Sequence, residues 1–359
     1  MRRSLRNERG FGFVKVFLFV FCSGLSLVVS HSWAAEREFD MTIEEVTIKV
    51  APGLDYKVFG FNGQVPGPLI HVQEGDDVIV NVTNNTSLPH TIHWHGVHQK
   101  GTWRSDGVPG VTQQPIEAGD SYTYKFKADR IGTLWYHCHV NVNEHVGVRG
   151  MWGPLIVDPK QPLPIEKRVT KDVIMMMSTW ESAVADKYGE GGTPMNVADY
   201  FSVNAKSFPL TQPLRVKKGD VVKIRFFGAG GGIHAMHSHG HDMLVTHKDG
   251  LPLDSPYYAD TVLVSPGERY DVIIEADNPG RFIFHDHVDT HVTAGGKHPG
   301  GPITVIEYDG VPVDDWYVWK DKDYDPNFFY SESLKQGYGM FDHDGFKGEF
   351  EQRQRRPGR

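Results

Sequence analysis

Cysteine, helical periodicity and long apolar runs are all scarce in this chain of 359 residues. Its two cysteines are Cys22 and Cys138, and Cys22 lies in a segment typical of a cleaved export signal. In that segment four arginines precede a short apolar run from Val16 to Val29. Cleavage would leave Cys138 as the single thiol, which excludes an intrachain disulfide framework.

A positive charge balance is also lacking. The formal net charge is −8, and loss of residues 1–34 would make it more negative, because they contain five basic residues and one acid. Such a balance argues against nucleic acid as a partner. No later stretch is apolar for long enough to span a bilayer. We therefore expect residues 1–34 to be a signal peptide and the mature protein to be exported, periplasmic or secreted, without a membrane partner. A membrane anchor is the alternative interpretation of the same segment.

Glycine and proline, by contrast, are frequent, at 39 and 22 residues. They interrupt short β-branched runs such as Val78-Ile-Val-Asn-Val at close intervals, and helical periodicity is scarce throughout. This pattern predicts an all-β protein built of Greek-key β-sandwiches.

Three segments of the chain occur twice, in the same order and at similar offsets. Segment 66–80 is echoed by 208–222, His90-Thr-Ile-His93-Trp-His95 by His234-Ala-Met-His237-Ser-His239, and Trp135-Tyr-His137-Cys138-His139 by Ile283-Phe-His285-Asp286-His287. A matched set of this kind predicts two copies of one domain. We place them at residues 36–158 and 168–310, followed by a C-terminal tail at 311–359.

The segment His137-Cys138-His139 indicates metal chemistry. Side chains alternate along a strand, so Cys138 faces one side and the two histidines face the other. One face of the first domain then collects His90, Cys138, His145 and Met151. A thiolate, two imidazoles and a weak thioether suit an electron-transfer copper.

The opposite face collects histidines only. They are His93, His95, His137 and His139 in the first domain, and His237, His239, His285 and His287 in the second. Packing does not explain four His-X-His pairs, and imidazole ligation suits copper, zinc or iron. Asp286 stands where the first copy has Cys138, so we predict one mononuclear copper site per chain. His291 and His298 are interpreted as remnants of the lost site or as surface residues.

These motifs resemble the multicopper oxidases, the laccase-like family, over most of residues 45–310. The resemblance implies two tandem cupredoxin-like Greek-key β-sandwich domains with a type 1 copper in the first domain only. It implies four copper ions per chain: type 1 on His90, Cys138, His145 and Met151, type 2 on His93 and His237, and a type 3 pair on His95, His137, His139, His239, His285 and His287. The chain departs from the family's usual spacing between His139 and His145, where it has the longer insert Val140–Glu144.

The resemblance also implies an activity. A small reductant (a phenol, an aromatic amine or a metal ion) would be oxidised at the Cys138 copper, and electrons would pass through Cys138 to His137 or His139. Dioxygen would then be reduced to water by four electrons. Asp106 and Glu144 resemble the family's proton-relay acids. Two-domain relatives imply a homotrimer in which the first domain meets the second domain of the next subunit.

Two other functions remain open from the residues alone. A copper nitrite reductase shares the two-domain frame, but it needs three histidines for its second copper, and its cysteine is not normally followed by a histidine such as His139. A copper-sequestering or electron-carrying protein without turnover is the third interpretation, but it would not need eight further imidazoles.

Overall fold

The computed structural model describes residues 34–187, 198–211 and 213–319. The predicted signal peptide and most of the predicted C-terminal tail lie outside these residues. Strands dominate the described part, and only short helical turns interrupt them, at Trp103–Ser105, Val142–His145, Glu166–Arg168 and Ser182–Val184. None of its helices is long and apolar enough to cross a bilayer. The all-β prediction is confirmed.

The first sandwich comprises strands β1–β8. They are β1 Glu36–Ala51, β2 Leu54–Phe61, β3 Ile70–Gln73, β4 Asp77–Asn84, β5 His93–His95, β6 Ser121–Lys127, β7 Gly132–His137 and β8 Trp152–Asp158. One sheet has the order β2-β1-β4-β6 and the other β3-β8-β7-β5. In β4 the residues Val78, Val80 and Val82 are buried, while the residues between them are half-buried. This alternation turns one face of the strand towards the core.

The second sandwich comprises strands β9–β19. They are β9 Lys171–Trp180, β10 Tyr200–Val203, β11 Leu214–Val216, β12 Val221–Gly228, β13 His234–Ser238, β14 Met243–Lys248, β15 Leu251–Ala259, β16 Thr261–Val264, β17 Arg269–Glu275, β18 Arg281–Asp286 and β19 Ile303–Tyr308. Its sheets have the orders β10-β9-β12-β17-β14-β15 and β11-β19-β18-β13-β16. From the predicted tail, Tyr317 and Trp319 pack against Ile303 and Val305 of β19.

The two sandwiches pack on each other through a shared apolar core and a buried polar network. Tyr56 and Trp152 of the first sandwich share a hydrophobic cluster with Trp180 of the second. Close by, the Thr133 hydroxyl donates to Asp271 at 2.5 Å, and Arg225 donates to Thr133 at 2.7 Å. Because buried charges are costly unless paired and hydrogen-bonded, this network fixes how one sandwich sits on the other.

Candidate metal centres

The first group of predicted ligands surrounds Cys138, the residue that follows β7. Its Sγ lies 3.4 Å from Nδ1 of His145 and 3.7 Å from Nδ1 of His90. His90 precedes β5, and His145 ends the helical turn Val142–His145. Met151 is fully buried, and its carbonyl accepts a hydrogen bond from the Cys138 amide at 3.1 Å. Residues from three separate segments are thus brought together.

The spacing of these donor atoms fits a bound metal ion. For ligand bonds of about 2.0–2.3 Å in a trigonal plane, donor atoms lie about 3.5–3.8 Å apart. The two distances from Cys138 Sγ lie close to that range, and all three donor atoms lie within 4.8 Å of one another. A thiolate and two imidazoles form the donor set that suits copper.

Burial sets the protonation states of this group. It lowers the pKa of His90 to about 2, with a smaller contribution from His145, and the pKa of His145 to about 4, with a smaller contribution from Arg149. Burial also raises the pKa of the Cys138 thiol to about 11. Both imidazoles are therefore neutral and ready to bind at neutral pH, while the thiol releases its proton only when a cation takes its place.

Polar contacts behind these residues hold the loop 139–151, which we call the ligand loop. The Thr86 hydroxyl lies 2.8 Å from Nε2 of His90, which leaves Nδ1 of that ring facing Cys138. Below the loop, Arg149 pairs with Glu144 at 3.4 Å, and both side chains are fully buried. Arg149 also donates to the carbonyls of Lys57 and Val184, at 3.1 and 2.9 Å. The loop is therefore tied to both sandwiches.

The first quartet, as we call His93, His95, His137 and His139, lies on the other side of β7. Nδ1 of His95 is 3.4 Å from Nε2 of His137. Nδ1 of His93 is 2.8 Å from the Asp106 carbonyl, and Nδ1 of His137 is 2.8 Å from the Cys138 carbonyl. Each of these carbonyls fixes the ring tautomer, so Nε2 of His93 and of His137 is the nitrogen left to bind an ion.

Burial lowers the pKa of two histidines of the first quartet. Burial, followed by the charge of Arg269, lowers the pKa of His95 to about 3. The pKa of His137 is held well below its ordinary value by burial and then by His93. Like-charge repulsion between close imidazoles adds to desolvation at both rings, so His95 and His137 are neutral at neutral pH.

The second quartet, His237, His239, His285 and His287, repeats this arrangement on β13 and β18. Nε2 of His239 is 3.3 Å from Nε2 of His285. Nδ1 of His237 is 2.9 Å from the Asp260 carbonyl, and Nδ1 of His285 is 2.8 Å from the Asp286 carbonyl. Nε2 of His237 and of His285 therefore remains available for a metal, as Nε2 of His93 and of His137 does, while His239 turns Nε2 towards its neighbour where His95 turns Nδ1.

The surroundings of the two quartets differ. Gly230, Gly231, Pro266 and Gly267 of the second sandwich line the opening beside the first quartet. A Cβ on Gly267 would lie 3.3 Å from Cε1 of His95, which is a tight contact, so glycine is the residue that fits beside this ring without displacing it. In the second quartet His239 and His287 are exposed. Within the described residues no ring contact joins a histidine of one quartet to a histidine of the other.

The two predicted proton-relay acids lie in different environments. Asp106 is part-exposed, and its Oδ1 is 3.5 Å from Nδ1 of His93. Glu144 is sealed in the interior, where its oxygens face Arg149 Nε at 3.4 Å and Asn141 Nδ2 at 3.0 Å. Of the two, Asp106 alone borders a quartet.

Several residues at these sites carry no sequence signal. Arg149, Arg269 and Gly267 act through the packing of one sandwich on the other, which spacing along the chain does not reveal. For His291 the sequence leaves a remnant of the lost site and a surface residue open, and the structure places it 2.8 Å from Asp286, with little exposure. His291 follows Asp286 by five residues, whereas His145 follows Cys138 by seven, so spacing along the chain does not by itself pair the two histidines.

Comparisons with known proteins give a consistent result. Two family models described as multicopper oxidase match residues 42–162 and 178–298. A blue copper oxidase from Nitrosomonas europaea, known from its crystal structure, is 62% identical, with a TM-score of 0.81 over 88% of this chain and 99% of that one. Laccase-2 of Botryotinia fuckeliana is 34% identical over 69% of this chain and 45% of its own, so the chain spans less than half of that relative.

A copper nitrite reductase from Nitrosomonas europaea is 23% identical, with a TM-score of 0.63, and shows a shared fold only. That likeness gives no support to nitrite reduction, whereas both family models and the relative at 62% identity agree with each other. The predicted cupredoxin-type fold is confirmed by the same comparison. The chain belongs to the multicopper oxidase family.

Proposed function

We propose that this protein is a laccase-like oxidase that couples one-electron oxidation of a small reductant to the four-electron reduction of dioxygen to water. The observation that carries the proposal is the junction at β7. Cys138 belongs to one donor group and its neighbours His137 and His139 to another, and Nδ1 of His137 is 2.8 Å from the Cys138 carbonyl. Two covalent neighbours and one hydrogen bond therefore link the two groups.

Copper, when bound, supplies the one-electron chemistry that the protein side chains lack. One ion would be held by His90, Cys138, His145 and Met151, and three ions by the two quartets. Four ions per chain is part of this proposal. The chain's own contribution is to orient His93, His137, His237 and His285 through backbone carbonyls and to exclude water from Cys138, which has no exposed surface.

We further propose that each first quartet is completed by the second quartet of another copy, in a homotrimer. The exposure of His239 and His287 supports this, because ligand nitrogens facing solvent leave an ion only half enclosed. The quartets also make no ring contact with each other within the described chain, and their internal geometries correspond. Two half-sites from different copies would give the eight imidazoles that three ions require.

Complementation between two inactive variants tests the assembly. His95→Ala and His239→Ala each remove a ligand from one half-site and should each abolish oxygen uptake. When the two variants are dissociated, mixed and reassembled, the mixture should regain activity. In mixed trimers the intact first quartet of a His239→Ala copy meets the intact second quartet of a His95→Ala copy. Mixtures that stay inactive, while each variant remains folded and blue, would show that the cluster closes within one copy.

Metal stoichiometry tests the activity itself. The fully loaded protein should contain four copper ions per chain, show blue and type 2 EPR signals, and contain two EPR-silent ions. It should take up oxygen only with a reductant such as a phenol, an aromatic amine or Fe(II). Two EPR-visible ions per chain without oxygen uptake would overturn the oxidase proposal and favour an electron carrier.

We propose Asp106 as the acid that delivers protons to the quartets. It is the acid beside His93 that also reaches solvent, with its side chain 31% exposed, so it can exchange a proton in both directions. Glu144 has no such path and is better suited to hold Arg149 beneath the ligand loop.

We also propose that residues 1–34 direct export and that the two domains span residues 36–158 and 168–310. The strand groups Glu36–Asp158 and Lys171–Tyr308 support those domain limits.

A further inference from the structure

A third cluster of metal-ligating side chains lies in the second sandwich, outside both quartets. We call His234, Asp286 and His291 the aspartate triad. His234 begins β13, Asp286 ends β18 and His291 lies in the loop that follows. Oδ2 of Asp286 lies 2.7 Å from Nδ1 of His234 and 2.8 Å from Nδ1 of His291. All three side chains are buried.

The aspartate triad repeats the geometry of the Cys138 group. In both clusters two imidazoles present Nδ1 to one central residue, Cys138 or Asp286. That central residue directly follows a histidine of a quartet, near the end of a strand. The ring centroids of His90 and His145 are 4.8 Å apart, and those of His234 and His291 are 5.2 Å apart. The main change is a carboxylate oxygen in place of a sulfur.

Neighbouring groups keep one carboxylate oxygen of Asp286 aimed at the rings. Its Oδ1 accepts hydrogen bonds from the amides of Ala235 and Val288, at 2.9 and 3.0 Å, which leaves Oδ2 for the imidazoles. Phe201 stacks on the His291 ring, with centroids 3.9 Å apart. Carboxylate and ring are both oriented before any ion arrives, and such preorganisation lowers the cost of binding.

We propose that the aspartate triad binds one divalent transition-metal ion, and that Zn²⁺ matches its two nitrogens and one oxygen. Two imidazoles and a carboxylate are an established zinc donor set, whereas the absence of sulfur removes the ligand that a blue copper requires. Where the first sandwich has Met151 before Trp152-Gly153-Pro154, the second has Pro299 before Gly300-Gly301-Pro302, so no thioether stands at that place.

Binding requires two small changes in the triad. The present N–O distances are those of hydrogen bonds, and each must open by about 0.6 Å to seat an ion with bonds near 2.0 Å. On binding, each imidazole carries its proton on Nε2 and binds the ion through Nδ1. Nε2 of His234 is buried without a hydrogen-bond partner, so this change breaks no hydrogen bond there. The His291 side chain is 11% exposed and offers the ion its route inward.

Metal counting tests the proposal. The unsubstituted protein and the variants Asp286→Asn and His291→Gln are all loaded with copper and incubated with Zn²⁺. They are then dialysed against zinc-free buffer and analysed for total copper and zinc. The unsubstituted chain should hold one ion per chain more than either variant, while the Cys138 absorption band stays equal in all three. Asp289→Asn, an exposed acid three residues after Asp286, is the matched control and should keep the extra ion. Equal totals in all four proteins would overturn the proposal.

A second variant covers the case in which Asp286→Asn fails to fold. Asp286→Cys in a Cys138→Ser background places a thiolate between the same two imidazoles. If both Nδ1 atoms can converge on one ion, Cu²⁺ should produce an intense thiolate-to-copper absorption band in a protein that otherwise has none. A folded protein without that band would show that His234 and His291 cannot share an ion, and the proposal would fail.

Discussion

The two histidine quartets repeat one arrangement of side chains, but every histidine of the first is buried or half-buried, whereas His239 and His287 of the second are exposed. In the first quartet His93 and His137 have ring centroids 5.2 Å apart, and the corresponding rings of His237 and His285 are 5.7 Å apart. Each quartet also orients its rings through a backbone carbonyl. Geometry is thus a local property of the repeated strands.

Burial, by contrast, depends on what packs against the strands. The first quartet lies beside Gly230, Gly231, Pro266 and Gly267, which the other sandwich of the same chain supplies. Within the described residues no comparable cover lies over His239 and His287, which are exposed. A repeated domain can therefore keep its four histidines in place. Whether those histidines form a complete site depends on what packs against them.

The largest expected effect follows from the equivalence of the ligands. His95→Ala and His239→Ala should each slow oxygen uptake by at least about 100-fold, more than the loss typical for residues behind a ligand. Both should retain the blue absorption of the Cys138 group. Steady-state oxygen consumption with matched copper loading measures this. Normal activity in His239→Ala would show that His95 and His239 are not equivalent, and that the second quartet takes no part in the site.

A second prediction separates the quartets by pH. The pKa of His95 is lowered to about 3 by burial, so this histidine resists protonation in the folded state but not in the unfolded state. Its contribution to stability is complete above pH 6.5 and is lost as the pH falls from 6.5 towards the folded pKa, by about 2 kcal/mol at pH 5.

Urea unfolding of the metal-free protein at pH 7 and pH 5 measures this loss. His95→Gln should reduce the difference between the two pH values, whereas His239→Gln, at an exposed position, should change it less. An equal reduction in both variants would show that the two quartets do not differ in burial in solution.

Asp106 and Asp260 offer a third comparison, since the carbonyl of each accepts from Nδ1 of a quartet histidine. Asp106→Asn and Asp260→Asn both keep that carbonyl and remove only the carboxylate charge. We expect Asp106→Asn to lower kcat by about 10–100-fold and to alter its pH profile, because we propose Asp106 as the proton donor. Asp260→Asn should have little effect. Equal kinetics in the two variants would leave Asp106 without a role in proton delivery.

The smallest expected effect concerns the cover of the first quartet. Gly267 and Gly219 both have positive φ, +84° and +97°, but an added Cβ would meet His95 only at Gly267. Both alanine variants should lose about 1 kcal/mol through backbone strain. Gly267→Ala should also shift the copper EPR parameters of the quartet, whereas Gly219→Ala should not. Identical spectra would show that the glycine cover does not press on the ligand.

Much of this architecture was predictable from the sequence. Period-two alternation around Val78 and the punctuation by glycine and proline indicated strands, and the repeated His-X-His motifs indicated two equivalent sandwiches. Parity along β7 separated Cys138 from His137 and His139, because alternation on a strand is fixed by covalent geometry. These features are local, so a single segment contains the information.

The features that sequence reasoning did not find all depend on long-range packing. Arg149 contacts the carbonyl of Val184, and Gly267 approaches His95 across the interface of the sandwiches. The sequence left His291 open as a remnant of the lost site or a surface residue, and its contact with Asp286 did not follow from the sequence. Replacement of one donor by another leaves the surrounding ligand geometry in place.

Arg149 has a consequence for electron transfer. A redox ion exchanges electrons fastest when its ligands need not move between its two oxidation states, so a stiff ligand loop lowers the reorganisation energy. The segment from His145 to Met151 contains this fully buried arginine, which is hydrogen-bonded to Lys57 in one sandwich and to Val184 in the other. The interface between the sandwiches therefore stiffens the segment that carries the proposed copper ligands His145 and Met151, and a loosened interface should slow electron transfer.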